Sequence, residues 1–103
     1  MKNFYKKLKN ITLASLKQKK NELWDAEGVL HNQAFKFDLR PLKNNAKGGS
    51  FRTKADKMVF DMKDQFIVVD TEELHQYLKE NKLKEVHLQD LLSKLEWNII
   101  LPK

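Results

Sequence analysis

The sequence contains no cysteine, three glycines, two prolines and no long apolar run. The absence of cysteine excludes a disulfide framework, a thiolate metal cluster and a cysteine nucleophile. So little glycine and proline argues against a fibrous or low-complexity chain, and no apolar run reaches the roughly 18 residues that span a bilayer. With 103 residues, 41% of them hydrophobic and 33% charged, the chain is predicted to form a single small domain over residues 1–103 with a modest core.

Acidic residues are missing from the first 21 positions, which hold seven lysines. Residues 1–57 carry fourteen basic side chains against five acidic ones, a net charge of +9, whereas residues 58–103 carry six against nine, a net charge of −3. This asymmetry is typical of a chain whose one surface meets a polyanion or an acidic partner. The apolar stretch Ile11–Leu16 is too short for a secretory signal, so a cytoplasmic location is the expectation.

The first 24 residues are predicted to form a basic amphipathic helix. Apolar residues recur there at helical spacing, namely Phe4, Tyr5, Leu8, Ile11, Leu16 and Leu23. Lysines form a ladder at intervals of three and four on the opposite side, interrupted only by Leu13, namely Lys2, Lys6, Lys9, Lys17 and Lys20. A strand is a competing interpretation, because Ile11–Lys17 also alternates between apolar and polar residues.

The middle of the chain alternates with a period of two, which indicates strands. Val29–Leu39 is predicted to be a half-buried strand that ends at Pro41. Composition predicts a flexible basic loop over residues 40–57. Two short apolar runs, Met58–Met62 and Phe66–Val69, predict a hairpin, and the second run is apolar on both faces, as in a central strand.

The C-terminal half is predicted to contain two helices and a final strand. Asp70 or Thr71 would cap the first helix, and the second follows from leucines at helical spacing, namely Leu88, Leu91, Leu92 and Leu95. Trp97–Leu101 would form the last strand. The expected fold is therefore α+β, with a basic N-terminal helix, a three- to four-stranded mainly antiparallel sheet, and both later helices packed on one face.

Positive charge is the strongest functional signal, and it predicts a small non-enzymatic protein that binds nucleic acid through phosphates without reading bases. Cations release counterions from phosphates, and an aromatic ring can stack on an exposed base. The pattern does not distinguish DNA from RNA. The predicted contact residues are Lys2, Lys6, Lys9, Lys17, Lys20, Arg40, Lys43, Lys47, Phe51, Arg52, Lys54 and Lys57.

An acidic protein surface selects the same lysines, so the alternative is an adaptor or inhibitor, such as a phage product, that docks on a larger host protein. Tyr5 and Trp24 would then be anchors, and the charge asymmetry would also suit a homo-oligomer. A peripheral membrane contact through the apolar side of the first helix is less favoured, because a domain this small needs those side chains in its core.

Two sets of carboxylates resemble a divergent metal-dependent nuclease only in part. The first set is Asp56 with Asp70-Thr71-Glu72, which has the hairpin context but places Glu72 where such sites have lysine. The second set is Asp38 with Asp61-Met62-Lys63, which keeps the lysine but spans the long basic loop. The three histidines match no metal-ligand spacing. No enzyme activity, metal or cofactor is therefore predicted.

Overall fold

The structure is a computed structural model that describes residues 2–41, 53–81 and 93–103. Its strands form one sheet, and helices lie against the sheet or at its end. The elements are α1 (Lys2–Tyr5), β1 (Lys9–Leu13), α2 (Leu16–Glu22), β2 (Ala26–Leu30), β3 (Gln33–Pro41), β4 (Lys57–Asp61), β5 (Gln65–Asp70), α3 (Thr71–Glu80) and β6 (Asn98–Pro102).

The described strands form a six-stranded sheet in which spatial order equals chain order, from β1 at one edge to β6 at the other. β3 and β4 are parallel, and the other neighbours are antiparallel. The predicted three- to four-stranded, mainly antiparallel sheet is therefore wrong. The parallel pair is joined by residues 42–56, a connection long enough to return the chain to the same end of the sheet.

The predicted helix over residues 1–24 is also wrong. The chain forms the short helix α1, then the edge strand β1, then α2. Asn10 has a left-handed backbone (φ 53°), which stops a helix from continuing, and Ser15 caps α2 instead of lying inside a longer helix. The regular lysine ladder on one helix therefore does not exist, and the competing strand interpretation holds only for the part of its range within β1.

Several shorter predictions are confirmed. β4 and β5 form the predicted antiparallel hairpin, and β5 lies in the sheet between β4 and β6. Asp70 caps α3 by accepting a hydrogen bond from the backbone N–H of Glu73 at 3.0 Å. The part of the second C-terminal helix predicted from Leu88, Leu91 and Leu92 lies outside the described residues.

Both faces of the sheet are covered. On one face, α3 and Leu95 pack against side chains of β4 and β5, namely Met58, Phe60, Ile67 and Val69. On the other face, Phe4 and Leu8 pack against side chains of four strands, namely Leu30, Phe37, Val59, Phe66 and Val68. The N-terminal apolar residues therefore serve the core, although they do so from a short helix and a turn.

We expect Gly28→Ala to lower the free energy of unfolding by about 1–2 kcal/mol, because β2 passes close beneath Leu8. An added Cβ would lie 3.0 Å from Leu8 Cδ1 and 3.2 Å from Leu8 Cβ. Urea denaturation measures the loss. The same substitution in a Leu8→Ala background should cost less, and an equal cost in both backgrounds would contradict this contact.

Candidate nucleic-acid interface

Local signals define α2. The Ser15 hydroxyl accepts a hydrogen bond from the Gln18 N–H at 3.1 Å, and the Gln18 side chain accepts one from the Ser15 N–H at 2.9 Å, which completes a capping box. The helix ends at Leu23, whose backbone is left-handed (φ 60°). Lys19 and Lys20 lie in its last turn, where cations interact favourably with the helix dipole.

The C-terminal end of α2 is hydrogen-bonded to the segment that precedes β4. The carbonyl of Glu22 accepts a hydrogen bond from the N–H of Lys54 at 2.8 Å, and the carbonyl of Leu23 accepts one from the Thr53 hydroxyl at 2.9 Å. The Glu22 carboxylate also lies 3.4 Å from the indole nitrogen of the buried Trp24. These contacts place the exposed Lys54 beside the end of α2, so the segment that precedes β4 extends the basic region.

The face of α2 away from Glu22 points outward. Leu16 and Lys20 are four residues apart, so they lie on the same side of the helix, and Leu23, at which the helix ends, is exposed as well. Glu22 lies on the opposite side, toward Trp24, and no residue of α2 is buried. The outward face therefore combines apolar and basic side chains.

Six lysines in this part of the chain are exposed, namely Lys6, Lys7, Lys9, Lys17, Lys19 and Lys20. No acidic residue occurs before Glu22. Lys19 lies 3.8 Å from Asp25, but its side chain is 51% exposed, so solvent screens this pair strongly. The positive charge of the region is therefore largely uncompensated.

Exposed aliphatic side chains lie among these lysines. Leu16 is 87% exposed, Leu13 62%, Leu23 43% and Ile11 40%. We name these four residues together with Lys9, Lys17, Lys19 and Lys20 the β1–α2 surface. Sequence reasoning missed the exposure of Leu16 and Leu23, because their helical spacing predicted burial.

The other predicted contact residues that the structure describes are scattered. Lys2 begins α1, Lys6 lies in the turn after it, and Lys43, Lys47, Phe51 and Arg52 lie outside the described residues. The Arg40 guanidinium donates to both Asp38 carboxylate oxygens, at 3.1 and 2.9 Å. Arg40 is therefore occupied by its neighbour in β3, and 40–57 is not one loop, since it begins in β3 and ends in β4.

Lys57 is buried and does not belong to a basic surface. It is 6% exposed, and its ammonium lies 2.7 Å from the Asp70 carboxylate and 3.7 Å from the centre of the Trp97 ring. The Phe35 ring lies on it as well, at 4.8 Å. A lysine held by one carboxylate and two aromatic rings stabilises the junction of β3, β4 and the segment before β6.

The predicted anchors Tyr5 and Trp24 are packed into the protein, Tyr5 in part and Trp24 almost completely. Trp24 is 3% exposed, and the ammonium of Lys36 lies 5.1 Å from its ring centre. Tyr5 is half-buried; its burial, with a smaller contribution from the negative charge of Asp25, raises the pKa of its hydroxyl. The exposed apolar side chains of this region are aliphatic.

Four carboxylates of the nuclease interpretation, Asp38, Asp56, Asp61 and Asp70, have structural partners, whereas Glu72 is exposed. Asp56 lines a cleft of about 490 Å³ beside the start of α3, and its carboxylate accepts a hydrogen bond from the Lys36 N–H at 2.8 Å. Asp70 pairs with Lys57 and caps α3, while Lys103 pairs with Asp61. In the part of the chain that the structure describes, no group of three or more His, Asp or Glu side chains could hold a metal ion.

Comparison with protein-family models, curated proteins and solved structures found no match for this chain. Within residues 2–41, 53–81 and 93–103, no helix combines the length and apolarity needed to cross a bilayer. The class that the fold itself defines is an α+β protein built on a six-stranded mixed sheet.

Proposed function

We propose that this protein binds nucleic acid without catalysis, through contacts between lysine ammonium groups and phosphates. The observation that carries the proposal is the group of six exposed lysines in a segment that has no acidic residue before Glu22. Such a surface attracts a polyanion and gains free energy when counterions leave the phosphates. Phosphate contacts position a strand but do not read its bases.

The arrangement supports contact along a strand and not at a single phosphate. Lys9 lies on β1, Lys17 and Lys20 lie on successive turns of α2, and Lys54 lies where the 53–56 segment meets the end of α2. Lysine side chains are long and flexible, so neighbouring ammonium groups can follow a phosphate backbone without a rigid geometry.

Fluorescence anisotropy with labelled DNA and RNA over a salt series tests the proposal. We expect the logarithm of the association constant to fall linearly with the logarithm of salt concentration, with a slope of about −3 to −4 for single strands if four to six phosphates are contacted. Absence of binding to every oligonucleotide at low salt would contradict the proposal.

We expect the triple variant Lys17→Gln, Lys19→Gln and Lys20→Gln to bind about tenfold more weakly at low salt, with a salt slope shallower by about 2. Glutamine retains helix propensity, so α2 should persist. The matched control replaces three exposed lysines elsewhere, Lys63, Lys79 and Lys94, with glutamine and gives the same net charge. Equal losses in both variants would show that net charge acts, not this surface.

A second candidate function is docking on an acidic cleft of a larger protein, as an adaptor or inhibitor. The exposure of Leu13 and Leu16 is the observation that favours it, because exposed apolar groups mark protein contacts as well as other interfaces. A complex of fixed stoichiometry that survives nuclease treatment and moderate salt would support this function, whereas dispersal of the complex by nuclease would reject it.

A further inference from the structure

We infer that the β1–α2 surface is specific for single-stranded over double-stranded nucleic acid. This inference rests on the proposed function and adds the class of strand. The observation behind it is that the aliphatic side chains of this surface are exposed among the lysines that would meet phosphates. Contacts with phosphates use only the lysines, so the aliphatic groups are available for a second kind of contact.

The leucines and lysines are presented together. Leu16 and Lys20 share the outward side of α2, the exposed Leu23 is the residue at which α2 ends, and Leu13 lies at the end of β1, just before the Ser15 cap. A strand bound by the lysines would therefore run within reach of the leucines. Leu16, at 87% exposed, has the most apolar area to lose from water.

The chemistry of the two forms of nucleic acid differs at this point. A duplex hides its base faces in the stack and presents phosphates, sugars and groove edges, so a leucine against an undistorted duplex meets no base face and finds less apolar area than on an unstacked strand. A single strand can turn base faces outward, and contact between a base face and an aliphatic side chain removes apolar area of both from water. Electrostatics alone favours the duplex, because its charge density is higher.

Pairing of another strand with β1 is disfavoured as the use of this edge. The β1–β2 register shifts between Lys9 and Thr12, and Asn10 has a left-handed backbone. A bulge and a lysine on a short edge strand are the features that discourage strand addition. Protein interfaces are in addition depleted in lysine. A partner would therefore contact the side chains of this surface and not the backbone of β1, and the lysines favour a polynucleotide over a protein as that partner.

Binding of labelled oligothymidylate and of a duplex of equal length, measured by anisotropy at low salt, tests the inference. We expect the wild type to bind the single strand more tightly. The variant Leu13→Ser with Leu16→Ser should lose about tenfold in affinity for the single strand, with the duplex affinity and the salt slope unchanged. Ile100→Ser, at a 48% exposed position on the opposite edge strand, is the control and should change neither.

The outcomes separate this inference from the proposed function. Duplex binding as tight as single-strand binding, or single-strand affinity that does not depend on the leucines, would overturn the inference and leave phosphate binding intact. Equal losses on both substrates would also overturn it, because the leucines would not then be distinguishing the strands. Failure to bind either substrate would overturn both. Thermal unfolding of each variant checks that these exposed substitutions leave the fold in place.

Discussion

Phe4→Ala is expected to lower the free energy of unfolding by about 3–5 kcal/mol, because its ring fills the centre of one sheet face. Phe4 is completely buried, and its ring meets those of Phe37 and Phe66 edge to face, with centroids 5.3 and 5.4 Å away. It belongs to α1, which has four residues and too few backbone hydrogen bonds to be stable alone. Tertiary packing of this side chain therefore holds the N-terminus on the sheet.

Urea denaturation measures this effect, and two variants control it. Phe4→Leu keeps most of the apolar volume and should cost clearly less than Phe4→Ala. Asn3→Ala changes the exposed neighbour in α1 and should alter stability little. A loss below about 1 kcal/mol for Phe4→Ala would contradict the packing of α1, since a filled core position costs more than that.

Asp70→Asn is expected to destabilise the protein by about 3 kcal/mol, because it leaves the buried Lys57 ammonium without its counter-charge. Asparagine can still accept the Glu73 N–H bond that caps α3, so the loss reports the ion pair more than the cap. The two aromatic rings beside Lys57 retain part of the stabilisation of the cation.

A double-mutant cycle measures the coupling free energy between Lys57 and Asp70 apart from the effect of each single substitution. Lys57→Met with Asp70→Asn removes both charges and should be more stable than Asp70→Asn alone, because no unpaired charge remains buried. Asp64→Asn, at an exposed position in the β4–β5 turn, is the control for a lost carboxylate and should have little effect. Additive losses in the cycle would contradict coupling between Lys57 and Asp70.

The sequence predicted the parts of the fold that depend on residues close together in the chain, such as a hairpin and a helix cap. Alternation and the continuous apolar run at Phe66–Val69 predicted the β4–β5 hairpin, and Asp70 was recognisable as a cap. The parallel pairing of β3 with β4 was not predictable in this way, because its register depends on where residues 42–56 return the chain. Spacing at the N-terminus identified Phe4 and Leu8 as buried but not the change from helix to strand before Ser15.

For the candidate site, too, the sequence predicted what depends on composition but not what depends on contacts between distant residues. Counting charges located the basic region, because charge is a property of composition, and that count includes Lys7 and Lys19, which helical spacing had passed over. The burial of Lys57 could not be foreseen, since its partners Phe35, Asp70 and Trp97 come from three distant segments. An apolar residue at helical spacing is usually buried, whereas Leu16 is exposed.

The most direct test of this account follows the amide chemical shifts by NMR while oligothymidylate is titrated into the wild-type protein. We expect shifts concentrated in residues 9–23 and at Lys54, with little change in β6 or around the cleft beside Asp56. Shifts centred on that cleft or on α3, or no shifts at low salt, would contradict the assignment of nucleic-acid binding to the β1–α2 surface.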